Sequence, residues 1–207
     1  MSSLNLSALE SAPLQTDPFD YVVVPGFLTG QALGVVNDDF PDVPGPGSFN
    51  MNDLTIGAAF HKLTDELQSA EMTEAVSRKF DIDLTGRPTI VTIRGHCRET
   101  DGRIHRDSKG KIITALLYMN GPWEAEGGRL RLLRDDKDLE NYVAEVPPVE
   151  GTLLMFRCSP NSWHGHKTFV GQRRSIQLNW VRDESYKGRK HRRHKVSALM
   201  KKFGLAS

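Results

Sequence analysis

The hydrophobic pattern of this chain changes character once, near Pro88. Before it, Tyr21-Val22-Val23-Val24, bounded by Pro18 and by Pro25-Gly26, predicts a short strand. Thr29 offers an N-cap for a helix running to roughly Asp39, which Phe40-Pro41 ends. Val-Pro-Gly-Pro-Gly-Ser over 43–48 reads as loop, and its place ahead of the second half makes it a candidate edge for a site. Phe60, Leu63, Leu67, Met72, Val76 and Phe80 recur at helical spacing. Ser69 is followed three residues later by Met72 rather than an acid, so no capping box forms, and two abutting helices are one reading of this span. After Pro88 come short β-branched runs at 89–93, 112–119, 130–133, 151–156 and 175–180, separated by Gly, Asn and Pro. Helices first and a strand-rich half second predict an α+β chain with an antiparallel barrel or sandwich.

Composition narrows the picture. The 207 residues suit one domain with a sizeable core. No run approaches eighteen apolar residues, so no membrane span is expected. Met1-Ser2-Ser3-Leu4-Asn5-Leu6 has neither a charged start nor a long apolar stretch, so no secretory signal is read there. Cys97 and Cys158 are too few for a disulfide framework and are read as reduced thiols in a cytoplasmic protein. The net charge of +1 hides an asymmetry. Residues 187–202 carry eight of the 27 Lys and Arg and no acid, which leaves 19 bases against 26 acids, a charge of −7, on the rest. That basic run could contact nucleic acid or another anionic partner. The plainer reading, a solvated extension docking on the acidic body, is favoured because no aromatic residues interleave with the charges.

The chemistry-bearing residues lie in the second half. His105-Arg106-Asp107 is followed by Trp163-His164-Gly165-His166 and then by Arg173-Arg174-Ser175. On a strand, His105 and Asp107 would share a face while Arg106 points away. A third ligand would then come from another strand, where His164 and His166 share the same parity. Two imidazoles and a carboxylate on one face of an iron leave positions free for a co-substrate and oxygen. A guanidinium nearby could grip a small dicarboxylate through paired charge-assisted hydrogen bonds. His61, His96, His191 and His194 are read as structural or surface residues.

From His105 to Trp180 the chain resembles the iron(II)- and 2-oxoglutarate-dependent dioxygenases, particularly the prolyl-hydroxylase-like branch. Beyond the ligand fragments, the likeness rests on Thr114 to Asn120, on Trp123 with Gly127-Gly128-Arg129-Leu130-Arg131-Leu132, on Arg173-Arg174-Ser175, and on the opening from Pro18 to Leu28. It implies a double-stranded β-helix (jelly-roll) core with N-terminal supporting helices over 18–182, an N-terminal extension over 1–17 and a basic C-terminal tail over 183–207. It further implies Fe(II) held by His105, Asp107 and His164, and 2-oxoglutarate anchored by Arg173 with help from Ser175 and Tyr118. O2 would be the second co-substrate and ascorbate a reductant. The implied reaction hydroxylates an unactivated carbon of a small molecule or a peptidyl residue, releasing succinate and CO2. A one-residue slip of register would make Arg174 the anchor and turn Ser175 away. Tyr118 has a plainer reading as a half-buried strand aromatic. Trp123 and residues 135–142 are candidates for the mouth of the site. A non-catalytic, cupin-like metal-binding or ligand-sensing barrel is the competing reading, in which Arg173 and Ser175 need no role.

Overall fold

In a strand, alternate side chains face opposite sides of the sheet, and this chain uses that alternation to separate a structural face from a chemical one. The computed structural model describes residues 2–28 and 30–188. In chain order the elements are α1 (Leu6–Ser11), β1 (Tyr21–Val24), α2 (Gly30–Asp38), β2 (Phe49–Asn50), α3 (Ala58–Leu67), α4 (Ala70–Phe80), β3 (Thr89–Cys97), β4 (Lys111–Tyr118), β5 (Leu130–Leu133), β6 (Tyr142–Val146), β7 (Leu153–Arg157), β8 (His164–Gly165) and β9 (Gly171–Val181). A six-stranded sheet has the order β1-β7-β4-β9-β3-β2, and a three-stranded sheet the order β6-β5-β8, with every strand pair antiparallel. These paired sheets backed by N-terminal helices are the α+β, double-stranded β-helix architecture expected from the sequence.

The helical half behaves as its spacing predicts. Ser69 ends the first helix and caps the second, its hydroxyl accepting from Met72 N at 3.1 Å, so α3 and α4 abut. Glu71 in the first turn of α4 and Arg78 and Lys79 in its last turn complement the helix dipole. Phe60, Leu63, Leu67, Met72, Val76 and Phe80 are all buried in one cluster with Ile113, Ala115, Leu117, Ile176, Leu178 and Trp180. Those sheet residues are alternate positions of β4 and β9. Each such side chain contributes about 1.5–3 kcal/mol by leaving water, so the helices hold one face of the large sheet firmly. The Trp180 indole N–H donates to Thr73 Oγ1 at 3.3 Å, giving this buried aromatic a partner on α4.

The other face of the large sheet looks toward the small one. Tyr118, Leu154, Phe156, Leu130, Leu132 and Val146 form a second, smaller cluster that closes part of this interior. The rest of the interior is polar and holds the candidate site. The bulge between Arg94 and His96 on β3 marks the edge of this polar region.

Several elements differ from the sequence reading. Asp107 lies outside any strand, and His105 is held by a single reciprocal bridge to His164, each amide donating to the other's carbonyl at 3.0 Å. The strand argument for His105 and Asp107 therefore fails, although Arg106 does point away, stacked on Trp163. In the 1–17 stretch, α1 buries Leu9 completely against the core, and Arg78 of α4 pairs with Glu10. The proposed Thr29 cap and the basic run from Arg189 onward, with His191 and His194, lie outside the described residues.

Candidate metal centre and anion pocket

Alternation along β4 and β9 sends Thr114, Leu116, Arg173, Ser175 and Gln177 into a cavity of about 220 Å³ between the sheets. His105, Asp107 and His164 line the same cavity, and one ligand atom from each lies within 4.8 Å of the others. Among the described residues this is the one grouping of three such side chains that could hold a metal ion. His164 is buried, Asp107 half-buried and His105 exposed, so the triad stands where interior meets surface.

The surroundings orient both imidazoles and set the charge of His164 and Asp107. His105 Nδ1 lies 2.8 Å from Arg103 O and His164 Nδ1 lies 3.0 Å from Ser162 O. A backbone carbonyl can only accept, so each Nδ1 carries a proton, which leaves Nε2 as the nitrogen that can turn to an ion. Burial, reinforced by the neighbouring His105, lowers His164 to about 4, so it is neutral at ordinary pH. Burial alone would raise the Asp107 carboxyl. The Lys111 ammonium, His164 and hydrogen bonds from Lys111 and Thr114 together outweigh it and hold Asp107 at about 2. Lys111 Nζ sits 2.7 Å from Asp107 Oδ1, and Thr114 Oγ1 donates to Oδ2 at 2.5 Å. Asn179 Nδ2 in turn donates to Thr114 Oγ1 at 2.8 Å, tying the carboxylate to β9. Cys158, beside this group, is pushed up to about 12 by burial and then by Asp107, so it remains a thiol.

Around Arg173 several buried polar atoms lack partners. Arg173 is 5% exposed, and its Nε donates to Gly128 O at 2.7 Å while Nη2 has no partner. Ser175 Oγ and Tyr118 OH are also buried without a partner, and the Arg173 guanidinium lies 5.3 Å from the centre of the Tyr118 ring. Each unsatisfied donor costs about 1–3 kcal/mol, a penalty native interiors rarely accept without reason. A small carboxylate in the cavity is an acceptor that Arg173 and Ser175, which line it, would meet. Gly128 supplies the Arg173 acceptor from a left-handed conformation, φ 79°, and a Cβ there would stand 2.8 Å from the Trp123 ring. That close approach gives the Gly127-Gly128 pair of the sequence a physical reason.

The expected residues therefore fall as follows. His105, Asp107 and His164 are brought together, and Arg173 and Ser175 line the cavity with them. Tyr118 is fully buried beside Arg173, not half-buried. Arg174 occupies the opposite face, its guanidinium 5.1 Å from the Phe40 ring centre. His166 lines the cavity but stands outside the triad, its Nδ1 2.8 Å from Lys167 O. Burial and then Arg173 lower it to about 4. The loop over 43–48 reaches the cavity through Ser48, whereas Trp123 and residues 135–142 do not line it. Sequence reasoning missed Lys111, Thr114, Asn179 and Arg94. Arg94 sits opposite Ser175 in register, lines the cavity and has an unpartnered Nε. Strand parity would have found these only once the β3–β9 and β4–β9 registers were known.

Residues 94–182 match the family model of the 2OG-Fe(II) oxygenase superfamily. The sequence likeness is to this superfamily. Among solved structures, a prolyl-4-hydroxylase of Pseudomonas putida aligns with a TM-score of 0.55 at 16% identity, covering 86% of this chain and 97% of its own. A collagen prolyl hydroxylase of Paramecium bursaria Chlorella virus 1, solved with 2OG, aligns with a TM-score of 0.55 at 14% identity, covering 78% of this chain and 96% of its own. A Burkholderia pseudomallei oxidoreductase of the 2OG-Fe(II) oxygenase family gives a TM-score of 0.55 at 12% identity, covering 86% and 90%. At these identities the neighbours speak for the fold. No curated protein matches the chain. The 2OG-Fe(II) oxygenase match runs from within β3 to the end of β9, the stretch that carries the triad, Tyr118, Arg173 and Ser175.

Proposed function

We propose that this chain is an Fe(II)- and 2-oxoglutarate-dependent hydroxylase, with residues 18–182 as its oxygenase domain. His105, Asp107 and His164 would hold the iron through two Nε2 atoms and a carboxylate. Arg173 would take the far carboxylate of 2-oxoglutarate, with Ser175 and Tyr118 completing its hydrogen bonds. The observation that carries the reading is the meeting, in one cavity, of a His–Asp–His group with the buried, unpartnered Nη2 of Arg173 and Oγ of Ser175, behind which Tyr118 is buried.

When bound, iron and 2-oxoglutarate would together activate O2 to oxidise an unactivated carbon, releasing succinate and CO2. The chain's own residues prepare that chemistry. Thr114 and Lys111 hold Asp107 ionised and oriented, so no proton has to leave before a cation binds. Ser162 and Arg103 carbonyls fix the two imidazole tautomers. Leu116, Leu130 and Phe156 line the cavity and limit water there, which strengthens the charge interactions of Arg173 and Asp107. A cupin-like binder would explain the triad but gives Arg173, Ser175 and Tyr118 no acceptor. The substrate is a small molecule or a peptidyl residue. No helix among the described residues is long and apolar enough to cross a membrane. A cytoplasmic setting would suit the two free cysteines.

Succinate release from 2-oxoglutarate, with ferrous iron, O2 and ascorbate, tests the proposal. Wild-type chain should turn over slowly without substrate, and Asp107→Ala should not. Equal release by both would refute it.

A further inference from the structure

We propose that the groove outside the triad is a docking site for an acidic peptide segment. What would happen chemically at its inner end rests on the oxygenase reading; the docking itself does not. The groove has a volume of about 670 Å³ and shares His105, Asp107 and Lys111 with the inner cavity. A bound segment would therefore pass over His105 and Asp107, two members of the triad.

Charge identifies the class of ligand. Arg106, Lys109, Lys111 and Arg182 line the groove, against the single carboxylate of Asp107, which Lys111 already holds at 2.7 Å. Arg106, Lys109 and Arg182 are exposed. They gather on a molecule whose sequence, apart from residues 187–202, carries a charge of −7. Cations concentrated in one hollow of an otherwise acidic body focus an anionic partner onto that hollow. A second hollow of about 480 Å³ shares Lys111, Cys158 and Arg182 and adds Arg87 and Arg157, lengthening the track beyond the reach of a small metabolite. Its charge is partly offset, because Asp183 lines it and Asp20 pairs with Arg157 at 2.9 Å.

The walls favour a peptide over a nucleic acid. Ile104 and Pro160 give the groove apolar ground suited to side chains between carboxylates. Arg106 covers the Trp163 ring at 4.4 Å from its centroid and is pinned by donating to Pro160 O at 2.6 Å. The aromatic face is thus already occupied and offers no platform on which a base could stack. The same pinning holds the guanidinium in place before a ligand arrives, so little side-chain freedom is lost on binding.

Fluorescence anisotropy with the full chain tests this. The probes are a labelled peptide alternating Glu with Leu and Pro, the same peptide with Lys for Glu, and a labelled oligothymidylate. The acidic peptide should bind, more weakly as salt rises, and the Lys peptide should not. Arg106→Glu combined with Lys109→Glu should weaken acidic-peptide binding by at least about tenfold with an unchanged melting temperature. Arg192→Gln, Arg193→Gln and Lys195→Gln together should leave it in place. Absence of acidic-peptide binding, binding lost with the tail variant but kept by the groove variant, or oligothymidylate binding more tightly in the groove would each overturn the proposal. Succinate release by the same wild-type preparation separates the two claims. Turnover without docking sinks the groove alone, and docking without turnover sinks the oxygenase reading alone.

Discussion

Arg173→Ala should uncouple 2-oxoglutarate binding from metal binding. In the structure the Arg173 side chain stands outside the His105, Asp107 and His164 group; its Nε donates to Gly128 O, and its Nη2 is buried without a partner. Removing it would take away the guanidinium assigned to the far carboxylate of 2-oxoglutarate and leave Ser175, with Arg94 across the sheet, on that side of the cavity. Breaking a buried, hydrogen-bonded ion pair from one side costs about 3–5 kcal/mol, which corresponds to roughly two to four decades in affinity. The folded chain loses one hydrogen bond to Gly128 O but also one unsatisfied donor, so its melting temperature should move little. Calorimetric titration of the Mn(II)-loaded protein with 2-oxoglutarate measures the first quantity, and titration of metal into the apo protein measures the second. Arg173→Lys should recover part of the loss, because a lysine keeps the charge but not the fork. If Arg173→Ala bound 2-oxoglutarate within about threefold of wild type, a difference below 1 kcal/mol, the anchor assignment would be wrong.

Other perturbations probe the remaining parts. His105→Ala and Asp107→Ala should each abolish retention of a divalent metal through gel filtration, whereas His166→Gln should not; loss in the last case would move His166 into the ligand set. Thr114→Val should cost about 1–3 kcal/mol in urea unfolding, because it strands Asn179 Nδ2 as well as one Asp107 oxygen. Phe60→Ala, at a fully buried core position, should cost about 3–5 kcal/mol and leave metal affinity intact in the folded fraction. In the metal-free chain, His164 and His166 are both lowered to about 4, so below pH 6.5 the unfolded chain takes up protons that the folded one refuses. Their stabilisation is complete above pH 6.5 and is lost as pH falls through 4, by up to about 3 kcal/mol each. A urea midpoint that stays flat between those pH values would contradict the assigned burial.

Much of this arrangement was legible in the sequence because it follows from periodicity. Phe60 to Phe80 declared a helical face, and the run from Ser175 to Trp180 declared a strand whose neighbours Arg173 and Ser175 had to share a side. Less legible were features set by partners distant in the chain. Asp107 sits in irregular backbone, and its orientation comes from Thr114 and Lys111 rather than from a strand of its own. Strand β6 is hidden in the sequence because Tyr142 to Val146 mixes exposed and half-buried positions and follows a run of acids. Strand β8 spans only two residues, too few to carry a pattern. Arg94 is missed because a lone arginine in an apolar strand has meaning only against Ser175 across the sheet.

The eleven residues of β9 serve as a partition with independent sides. Ile176, Leu178 and Trp180 lock the helices in place, while Arg173, Ser175 and Gln177 furnish the chamber opposite. Point changes on the chamber side can therefore be explored by an evolving lineage, or by a protein engineer, without loosening the scaffold. Gaining or losing one codon inside the strand would exchange the two sides at once, turning charges toward the helices and aliphatics toward the chamber. Diversity in this strand should thus accumulate through replacement of residues and almost never through a change in its length.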